Sequence, residues 1–260
     1  MSGLRFEKYE GLGNDFVLVE LHDETALGPG AARALCDRHY GIGADGVLLV
    51  LPASKGAAGR MLVLNADGSR PEMCGNGLRC VALHLHRRGA GEAFVVETDA
   101  GPRQCRMLGS NVEIGLGRGT RLPQHVADFD GAPVPFDRIS MGNPHAVTFD
   151  APVPDAAIDR FGQDVSRSIE GGSNVEFATT IARGDFQVVV WERGVGRTLA
   201  CGTGAGATAV SAVLEGRADH GVPIRVGLPG GALELVVSRE LEVLLRGPAR
   251  HVFSGEVRSP

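Results

Sequence analysis

Short stretches of alternating apolar and polar residues, or of continuous apolar residues, recur along the chain between clusters of Gly, Asn, Asp and Pro. Such stretches are typical of β-strands bounded by turns. They predict strands at residues 4–10, 16–21, 47–51, 61–64, 93–97, 104–108, 112–116, 138–141, 145–149, 174–180, 186–191, 224–226, 233–237 and 241–245. The chain is therefore expected to be rich in β-structure in both halves.

Three stretches suit helices instead. One spans residues 31–39, one follows Cys74 and stops near Arg88, and one follows Cys201 and stops near Gly216. The last is apolar on nearly every side, which is typical of a buried helix. We predict an α/β (α+β) fold of two pseudo-symmetric halves, each a curved mixed or antiparallel β-sheet or barrel wrapped around a central helix.

The two helices that follow a cysteine begin with the same pattern. Residues 74–77 read Cys-Gly-Asn-Gly and residues 201–204 read Cys-Gly-Thr-Gly, with the cysteines 201 − 74 = 127 positions apart. An internal repeat of this spacing indicates two related halves. We place the N-terminal half at residues 1–117 and the C-terminal half at residues 118–252.

The repeated pattern has a chemical interpretation. A lone cysteine is more often a buried structural residue, but glycine inside a helix costs about 1 kcal/mol, so a matched Gly-x-Gly indicates another requirement. Unpaired N–H groups at a helix start favour an ionised thiol and can hold a carboxylate. If the halves face each other, one thiolate can take a proton from a carbon while the opposite thiol returns one to its other face. We expect only one of the two thiols to be ionised, because like charges so close oppose each other.

Composition narrows the classes of function. The 260 residues carry a net charge of −5, which argues against a nucleic-acid surface, and no window suits a membrane span. The N-terminus has no apolar signal core, and the five cysteines are an odd number, so thiols in a reducing cytoplasm are expected. The expected partner is a small molecule, with no nucleic acid and no membrane.

The residues show neither a clear lysine for pyridoxal phosphate nor a metal-binding signature, although the lysines alone exclude no cofactor. The chain has two lysines, Lys8 in a predicted strand and Lys55 in a predicted loop, and neither suits the Schiff-base lysine that pyridoxal phosphate needs. Cys74 and Cys80 do not have the Cys-x-x-Cys spacing of a metal site.

Other polar residues lead into or out of the segments around the two cysteines. These are Asn14 and Asn65 in the first half, and Asn143, His145, Asn174, Glu192 and Arg193 in the second. Any one of the asparagines is more often a turn residue, and Glu192 with Arg193 could be a surface ion pair. Their interpretation as site residues depends on the whole set.

With these residues in view, the chain from residue 6 to about 257 resembles the diaminopimelate epimerase family. The matching motifs are Gly13-Asn14-Asp15-Phe16, Asn65-Ala66-Asp67-Gly68-Ser69, Glu72-Met73-Cys74-Gly75-Asn76-Gly77, Gly142-Asn143-Pro144-His145, Asn174-Val175-Glu176-Phe177, Trp191-Glu192-Arg193-Gly194-Val195-Gly196 and Ala200-Cys201-Gly202-Thr203-Gly204. Asn76 stands where related isomerases of proline-type amino acids usually carry His, which favours diaminopimelate.

The resemblance implies a cofactor-free, two-base epimerase that interconverts L,L- and meso-diaminopimelate for lysine and cell-wall synthesis, with the site between two α/β halves. It implies that Cys74 and Cys201 are the acid/base pair and that His145 and Glu192 lie near the reacting amino group. It also implies that the last strand, from about residue 253, joins the first half. Assembly as a homodimer is left open. The implied substrate-binding residues are Asn14, Asn65, Gly75, Asn76, Asn143, Asn174, Glu192, Arg193, Gly202 and Thr203.

Two departures from the family pattern concern Gly46, where some members carry a substrate-contacting Gln, and the segment 164–172. At Gly46 that contact is expected to be absent or replaced by water.

Three other functions remain open from the residues alone. A thiol hydrolase would use Cys201 with His145 and leaves the Cys74 motif unexplained. A dinucleotide-binding protein would use the glycines of 202–206, but the β-rich surroundings do not suit a parallel nucleotide-binding sheet. A non-catalytic amino-acid-binding protein would tolerate the loss of both thiols.

Overall fold

The computed structural model describes residues 3–54 and 56–257; Lys55, predicted to lie in a loop, is outside the described residues. The predicted mixed class is confirmed, and strands predominate. The helices are α1 (Pro29–Cys36), α2 (Gly75–Arg87), α3 (Ile158–Ser168) and α4 (Gly202–Leu214). The strands are β1 (Leu4–Gly11), β2 (Asn14–Glu20), β3 (Gly46–Leu51), β4 (Gly59–Asn65), β5 (Ala93–Glu97), β6 (Arg103–Leu108), β7 (Asn111–Arg118), β8 (Thr120–Phe129), β9 (Ala132–Ser140), β10 (Pro144–Phe149), β11 (Asn174–Ala182), β12 (Asp185–Glu192), β13 (Gly196–Thr198), β14 (Ile224–Leu228), β15 (Gly231–Val237), β16 (Glu242–Pro248) and β17 (Arg250–Val257).

The chain divides into two compact units. Unit 1 comprises Met1–Ile114 and Gly247–Pro260, and unit 2 comprises Gly115–Arg246. The boundaries that we placed at 117 and 252 lie 117 − 114 = 3 and 252 − 246 = 6 residues further along the chain. Unit 1 is discontinuous in sequence, whereas unit 2 is a single segment.

Unit 1 is built on mixed strand pairing. β1 pairs antiparallel with both β2 and β17, β2 pairs parallel with β3, and β3 pairs antiparallel with β4. β5 joins β4 in parallel and continues into the antiparallel pairs β5–β6 and β6–β7. The core includes Phe6, Val17, Leu35, Val47 and Leu62. This sheet holds α2, the helix that begins after Cys74.

Helix α2 is buried on nearly every side, because strands β1, β2, β3, β4, β6 and β17 all contact it. Leu78, Cys80, Val81 and Ala82 are all fully buried. Burial of the helix surface, which contributes about 25 cal/mol per Å² of apolar area, therefore stabilises this helix despite its two glycines.

Unit 2 has a similar mixed arrangement around α4. β9 pairs antiparallel with β8 and β10, β10 pairs parallel with β11, and β11 pairs antiparallel with β12. β12 pairs with β13 and with β14, and β14, β15 and β16 form antiparallel pairs. Helix α4 contacts β9, β10, β11, β14 and β15. A Cβ at Gly206 would lie 3.0 Å from Leu116 Cδ1, so this glycine allows the helix to approach its neighbours closely.

The sequence pattern did not predict α3 or the strands β8, β13 and β17. Most of β8 is exposed and it contains Pro123, so its pattern resembles a loop. Helix α3 contains Gly162, where a Cβ would lie 2.8 Å from the Trp191 side chain, so close packing on β12 explains the glycine. Residues 117–120, where we placed the boundary between the two halves, lie mostly within β7 and β8.

The predicted helix at 31–39 ends early, at Cys36. The Asp37 carboxylate accepts hydrogen bonds from the backbone N–H groups of His39 and Tyr40, at 2.7 and 2.8 Å, and forms a turn. Within the residues that the structure covers, no helix combines the length and the apolar character needed to cross a bilayer.

Candidate active site

Cys74 is the N-cap of α2, as the sequence pattern predicted. Its backbone is extended, with φ −137° and ψ 114°, and its Sγ accepts a hydrogen bond from the backbone N–H of Gly77 at 3.4 Å. Gly75 and Asn76 are the first residues of the helix. A Cβ at Gly77 would lie 2.7 Å from Leu48 Cδ2, so glycine is required where the helix start packs against β3. The thiol therefore lies beside N–H groups that have no carbonyl partner within the helix.

The asparagines of unit 1 fall into two groups. Asn76 Nδ2 donates to Asn14 Oδ1 at 3.1 Å, and Asn14 Nδ2 donates to Asp45 Oδ2 at 2.8 Å. Asn65 Nδ2 instead donates to Ser69 Oγ at 2.9 Å within its own turn. Asn14 and Asn76 are thus joined directly, while the Asn65 side chain bonds within its own turn.

Gly46 is the first residue of β3 and lies in the sheet opposite Phe16 on β2 and Asn65 on β4. A Cβ at this position would lie 2.9 Å from the carbonyl oxygen of Leu64. A Gln at residue 46 would therefore require a backbone shift, which gives a structural reason for the departure from the family pattern.

Arg79 was not identified from the sequence, and it is the largest fully buried side chain described. Its guanidinium donates to the carbonyl oxygens of Pro248 at 3.1 Å and Gly75 at 3.4 Å, and to Asn76 Oδ1 at 2.9 Å. The signal available in the sequence was a charged residue between Leu78 and Cys80 in an apolar helix. This cation supports the first turn of α2, where Cys74 lies.

Cys201 is the N-cap of α4 and repeats the geometry of Cys74. Its backbone has φ −123° and ψ 110°, and its Sγ accepts from the backbone N–H of Gly204 at 3.4 Å. Gly202 and Thr203 begin the helix, and Thr203 Oγ1 lies 3.5 Å from the sulfur. Cys201 is only 7% exposed. A thiol at a helix start thus occurs in both units, each with one N–H directed at the sulfur.

The electrostatics of Cys201 differ from our expectation that a helix start favours ionisation. Burial raises the pKa of this thiol well above its usual value, and the charges of Glu192 and Glu176 raise it further. Hydrogen bonds from Thr203 and Gly204 act in the opposite direction but are outweighed. The helix start therefore acts on Cys201 in the predicted direction, but burial and the neighbouring carboxylates exceed its effect.

His145 lies in a chain of hydrogen bonds that ends at Thr203, two residues after Cys201. Its Nδ1 is 2.7 Å from Glu176 Oε1, and its Nε2 is 3.1 Å from Asn143 Oδ1. Asn143 Nδ2 in turn donates to Thr203 Oγ1 at 3.4 Å. His145 and Glu176 are both fully buried, so the carboxylate fixes the imidazole on β10 relative to the start of α4.

Glu176 was part of a matched motif but was not singled out as a site residue. A Cβ at Gly204 would lie 2.6 Å from Glu176 Oε1, so the carboxylate reaches the first turn of α4. Its other oxygen, Oε2, is buried and has no hydrogen-bond partner among the described residues. A carboxylate in an otherwise buried strand was the signal in the sequence. Such an atom in a buried polar network is a candidate for contact with a ligand group.

Glu192, Asn174 and Arg193 lie at neighbouring ends of β11 and β12. Glu192 Oε1 accepts from Thr198 Oγ1 at 2.6 Å, and burial together with the charge of Glu176 raises the pKa of Glu192. Asn174 Oδ1 accepts from the backbone N–H of Arg193 at 2.9 Å. The Arg193 side chain donates to the carbonyl of Gly171 at 2.5 Å, so Glu192 and Arg193 do not form the surface ion pair considered above.

A cavity of about 900 Å³ lies beside these residues in unit 2, lined by α3, Gly172, Trp191 and Arg193. Cys201 does not line it. Of the predicted site residues, only Arg193 lines this cavity.

The remaining cysteines have different surroundings. Burial raises the pKa of Cys36 to about 11 and that of Cys105 to about 12, and it raises that of Cys80 as well. These thiols are therefore poor nucleophiles. Among the described residues, no group of three or more His, Cys, Asp or Glu side chains is placed to hold a metal ion.

Comparison with known proteins agrees with the resemblance stated above. The family model for diaminopimelate epimerase matches residues 6–121 and 138–252. A diaminopimelate epimerase from Desulforudis audaxviator is 42% identical, with 97% of this chain and 99% of the relative covered. One from Picosynechococcus sp. is 39% identical, with 98% and 99% covered.

The fold is shared with more distant proteins of known structure. A probable proline racemase from Agrobacterium radiobacter superposes with a TM-score of 0.77 at 15% identity, with 99% of this chain and 93% of the other covered. At this identity the similarity establishes the fold alone.

Proposed function

Since the chain belongs to the diaminopimelate epimerase family, we propose that it interconverts L,L- and meso-2,6-diaminopimelate, a step in lysine and peptidoglycan synthesis. The substrate is a small amino acid, and the chemistry uses the side chains of the protein without a cofactor.

In this proposal Cys74 and Cys201 act on opposite faces of one α-carbon. One cysteine, as thiolate, removes the α-proton, and the electron pair of the broken C–H bond is delocalised into the adjoining carboxylate. The other cysteine, as thiol, donates its proton to the opposite face, so the configuration inverts and the two sulfurs exchange protonation states. No proton or electron is gained or lost overall.

The helix starts have a role in this step. Backbone N–H groups at Gly75 and Asn76, and at Gly202 and Thr203, would hold the carboxylate that accumulates negative charge. His145 and Glu192 would lie near the reacting amino group. The rest of the substrate would be held by Asn14, Asn65, Asn143, Asn174, Glu192 and Arg193.

One observation supports the proposal most directly. Each unit has a cysteine at the N-cap of a buried helix, with its Sγ 3.4 Å from the backbone nitrogen three residues later. A two-base reaction needs two such thiols, and this repeated geometry supports the proposal. A hydrolase with a single thiol would not require the repeated geometry.

The test is α-proton exchange. Reduced protein is incubated with L,L-diaminopimelate in D₂O and followed by NMR; the proposal expects deuterium at one α-carbon together with the meso isomer. Cys74→Ala and Cys201→Ala should each reduce epimerisation by at least about 10³-fold, whereas Cys105→Ala, a buried thiol on β6, should not. Full activity of either site variant would refute the two-base reaction.

The proposal also includes a cytoplasmic location and a homodimer. The assembly is measured by light scattering after gel filtration, where a mass of one 27.2 kDa chain would exclude the dimer.

A further inference from the structure

Cys74 and Cys201 have similar backbone geometry at the starts of α2 and α4. The charged groups around them differ in sign, however: a cation lies near Cys74 and acidic groups lie near Cys201. Five residues after Cys74, helix α2 carries the cation Arg79; five residues after Cys201, helix α4 carries Gly206. The packing of Gly206 against Leu116 and Met141 leaves no room there for an equivalent side chain. The repeat is therefore not symmetric in charge.

The guanidinium of Arg79 is a buried cation whose hydrogen-bond acceptors are neutral. The three acceptors are amide or peptide oxygens, those of Gly75, Asn76 and Pro248. Burial lowers the pKa of Arg79, but arginine stays protonated in proteins. A buried charge whose contacts are neutral is costly, and a nearby anion would offset part of that cost.

The titratable groups near Arg79 are few. The charges of Cys80, Cys74 and Glu10 all act on it. Cys80 lies fully buried in the helix, where its thiol is held neutral, and the Glu10 carboxylate on β1 is paired with Arg250 of β17 at 3.0 Å. The Arg79 guanidinium donates to Gly75 and Asn76, the two residues that follow Cys74, at 3.4 and 2.9 Å. The half-buried Cys74 thiol at the same helix start can therefore supply a negative charge beside this cation.

Cys201 lies among acidic groups instead. Glu176 on β11 and Glu192 on β12 act on it, and both raise its pKa. His145 on β10 is the facing base, and its ring is hydrogen-bonded to Glu176. Glu176 Oε1 lies 2.6 Å from the position that a Cβ of Gly204 would occupy, so this carboxyl group reaches the first turn of α4. Burial and the charges of the two glutamates therefore oppose a thiolate at Cys201.

We propose that Arg79 is a positioning residue that holds Cys74 as the thiolate of the resting protein, while Glu176 and Glu192 keep Cys201 as the thiol. The inference rests on the proposed function, which needs one thiolate and one thiol, and it assigns which is which. After one turnover the sulfurs have exchanged states, and the same charges favour return to the resting form.

The test measures ionisation rather than turnover. Cys74 is titrated in a Cys201→Ser background and Cys201 in a Cys74→Ser background, so the two thiols cannot influence each other. Each is alkylated with iodoacetamide between about pH 5 and about pH 10, and the rate at the named cysteine is read by peptide mass spectrometry. Because only the thiolate reacts, the midpoint in pH reports ionisation, whatever the accessibility.

We expect the Cys74 midpoint to lie below, and the Cys201 midpoint above, the value of about 8.5 for an unperturbed cysteine. Arg79→Met should raise the Cys74 midpoint by about one pH unit or more, which is a tenfold loss of thiolate at neutral pH. Arg79→Lys keeps the charge and should keep the midpoint. Arg87→Met removes an exposed cation from the last turn of the same helix and serves as the matched control, with no shift expected.

Glu176→Gln and Glu192→Gln test the part of the proposal that concerns Cys201. Each should lower the pH midpoint of Cys201. The inference is overturned if Cys201 has the lower midpoint, or if folded Arg79→Met leaves the Cys74 midpoint unchanged. If Arg79→Met does not fold, the inference is decided by the order of the Cys74 and Cys201 midpoints with Arg79 intact, together with the result for Arg79→Lys. A protein with the expected midpoints but without α-proton exchange would refute the proposed function, so the two failures are distinguishable.

Discussion

At the scale of single residues, the glycines near the two cysteines tell as much about the candidate site as the polar residues do. Gly204 follows Cys201 by three residues, and its N–H binds the sulfur while its Cα faces Glu176. Gly77 occupies the same position after Cys74 but faces Leu48. The same glycine in the two copies of the repeat is thus required by a carboxylate in one unit and by a core leucine in the other.

Gly204→Ala should therefore impair both stability and activity. The added methyl group would lie 2.6 Å from Glu176 Oε1 and 3.3 Å from Cys201 Sγ, and overpacking of this kind costs about 1–3 kcal/mol. We expect a lower midpoint of urea denaturation and at least a tenfold lower kcat. Gly206→Ala, which meets only apolar atoms of Leu116 and Met141, is the control and should leave kcat within about twofold. Wild-type kcat in Gly204→Ala would contradict the close contact.

The residues that sequence reasoning missed, Arg79 and Glu176, explain its limits at this scale. Both are charged residues in segments that are otherwise apolar, and their burial follows from strands distant in the sequence: Pro248 contacts Arg79, and His145 contacts Glu176. A motif identifies the cysteines because their helix starts are local. It cannot identify a charge whose environment is supplied by residues 31 or 169 positions away.

At the scale of elements, local signals predicted the helices α2 and α4 and most strands, because an apolar run after a capping residue needs no distant partner. Helix α3 and strand β8 were missed for the opposite reason. Gly162 weakens the helical pattern until Trp191 is known to pack against it, and β8 gains its strand conformation from pairing with β9. Elements that depend on tertiary contacts are not visible in local periodicity.

The ion network at the β1–β2 turn gives an element-scale prediction. Burial alone would raise the pKa of Asp15, but hydrogen bonds and charges from Arg38 and Lys8 outweigh it and lower the pKa from 3.8. A lowered pKa stabilises the folded state above the unfolded value, and this contribution is lost as pH falls through the folded value. The network joins β1, β2 and the segment after α1.

Asp15→Asn should therefore lower the free energy of unfolding at pH 6–7, by about 1–3 kcal/mol for hydrogen bonds to charged groups. The difference from wild type should shrink once the pH falls below 3.8, when the wild-type carboxylate also becomes protonated. Urea denaturation at several pH values measures it. Asp130→Asn, whose carboxylate is exposed and pairs with Arg160 at 3.5 Å, is the control with little expected effect. A difference that stays constant down to about pH 2 would contradict the assignment.

At the scale of the whole molecule, unit 1 depends on the end of the chain. β17 pairs with β1 from Leu4 opposite Val257 to Glu10 opposite Arg250, and the Phe6 and Phe253 rings meet edge to face at 5.9 Å. The Pro248 carbonyl also accepts from buried Arg79. The resemblance implied a returning last strand, but residue pattern alone did not predict β17, because most of its side chains are exposed.

Removing residues 249–260 should destabilise unit 1 selectively. β1 would lose the partner on one edge, so amide exchange should accelerate in β1 while protection in β11 and β12, within unit 2, is retained. Hydrogen exchange with mass spectrometry measures both, and a peptide of residues 247–260 added in trans should restore part of the protection of β1. Equal loss of protection in both units, or none in β1, would contradict the division at Arg246.

The pairing of β1 with β17 also sets an order for folding during synthesis. The ribosome makes β1 before unit 2, yet one edge of β1 stays without its partner strand until β17, which follows unit 2, has emerged. Unit 2 is one continuous segment and can fold while synthesis is still in progress. The half that begins first is thus completed last, and in the interval β1 exposes an open strand edge of the kind that nascent-chain chaperones protect from aggregation.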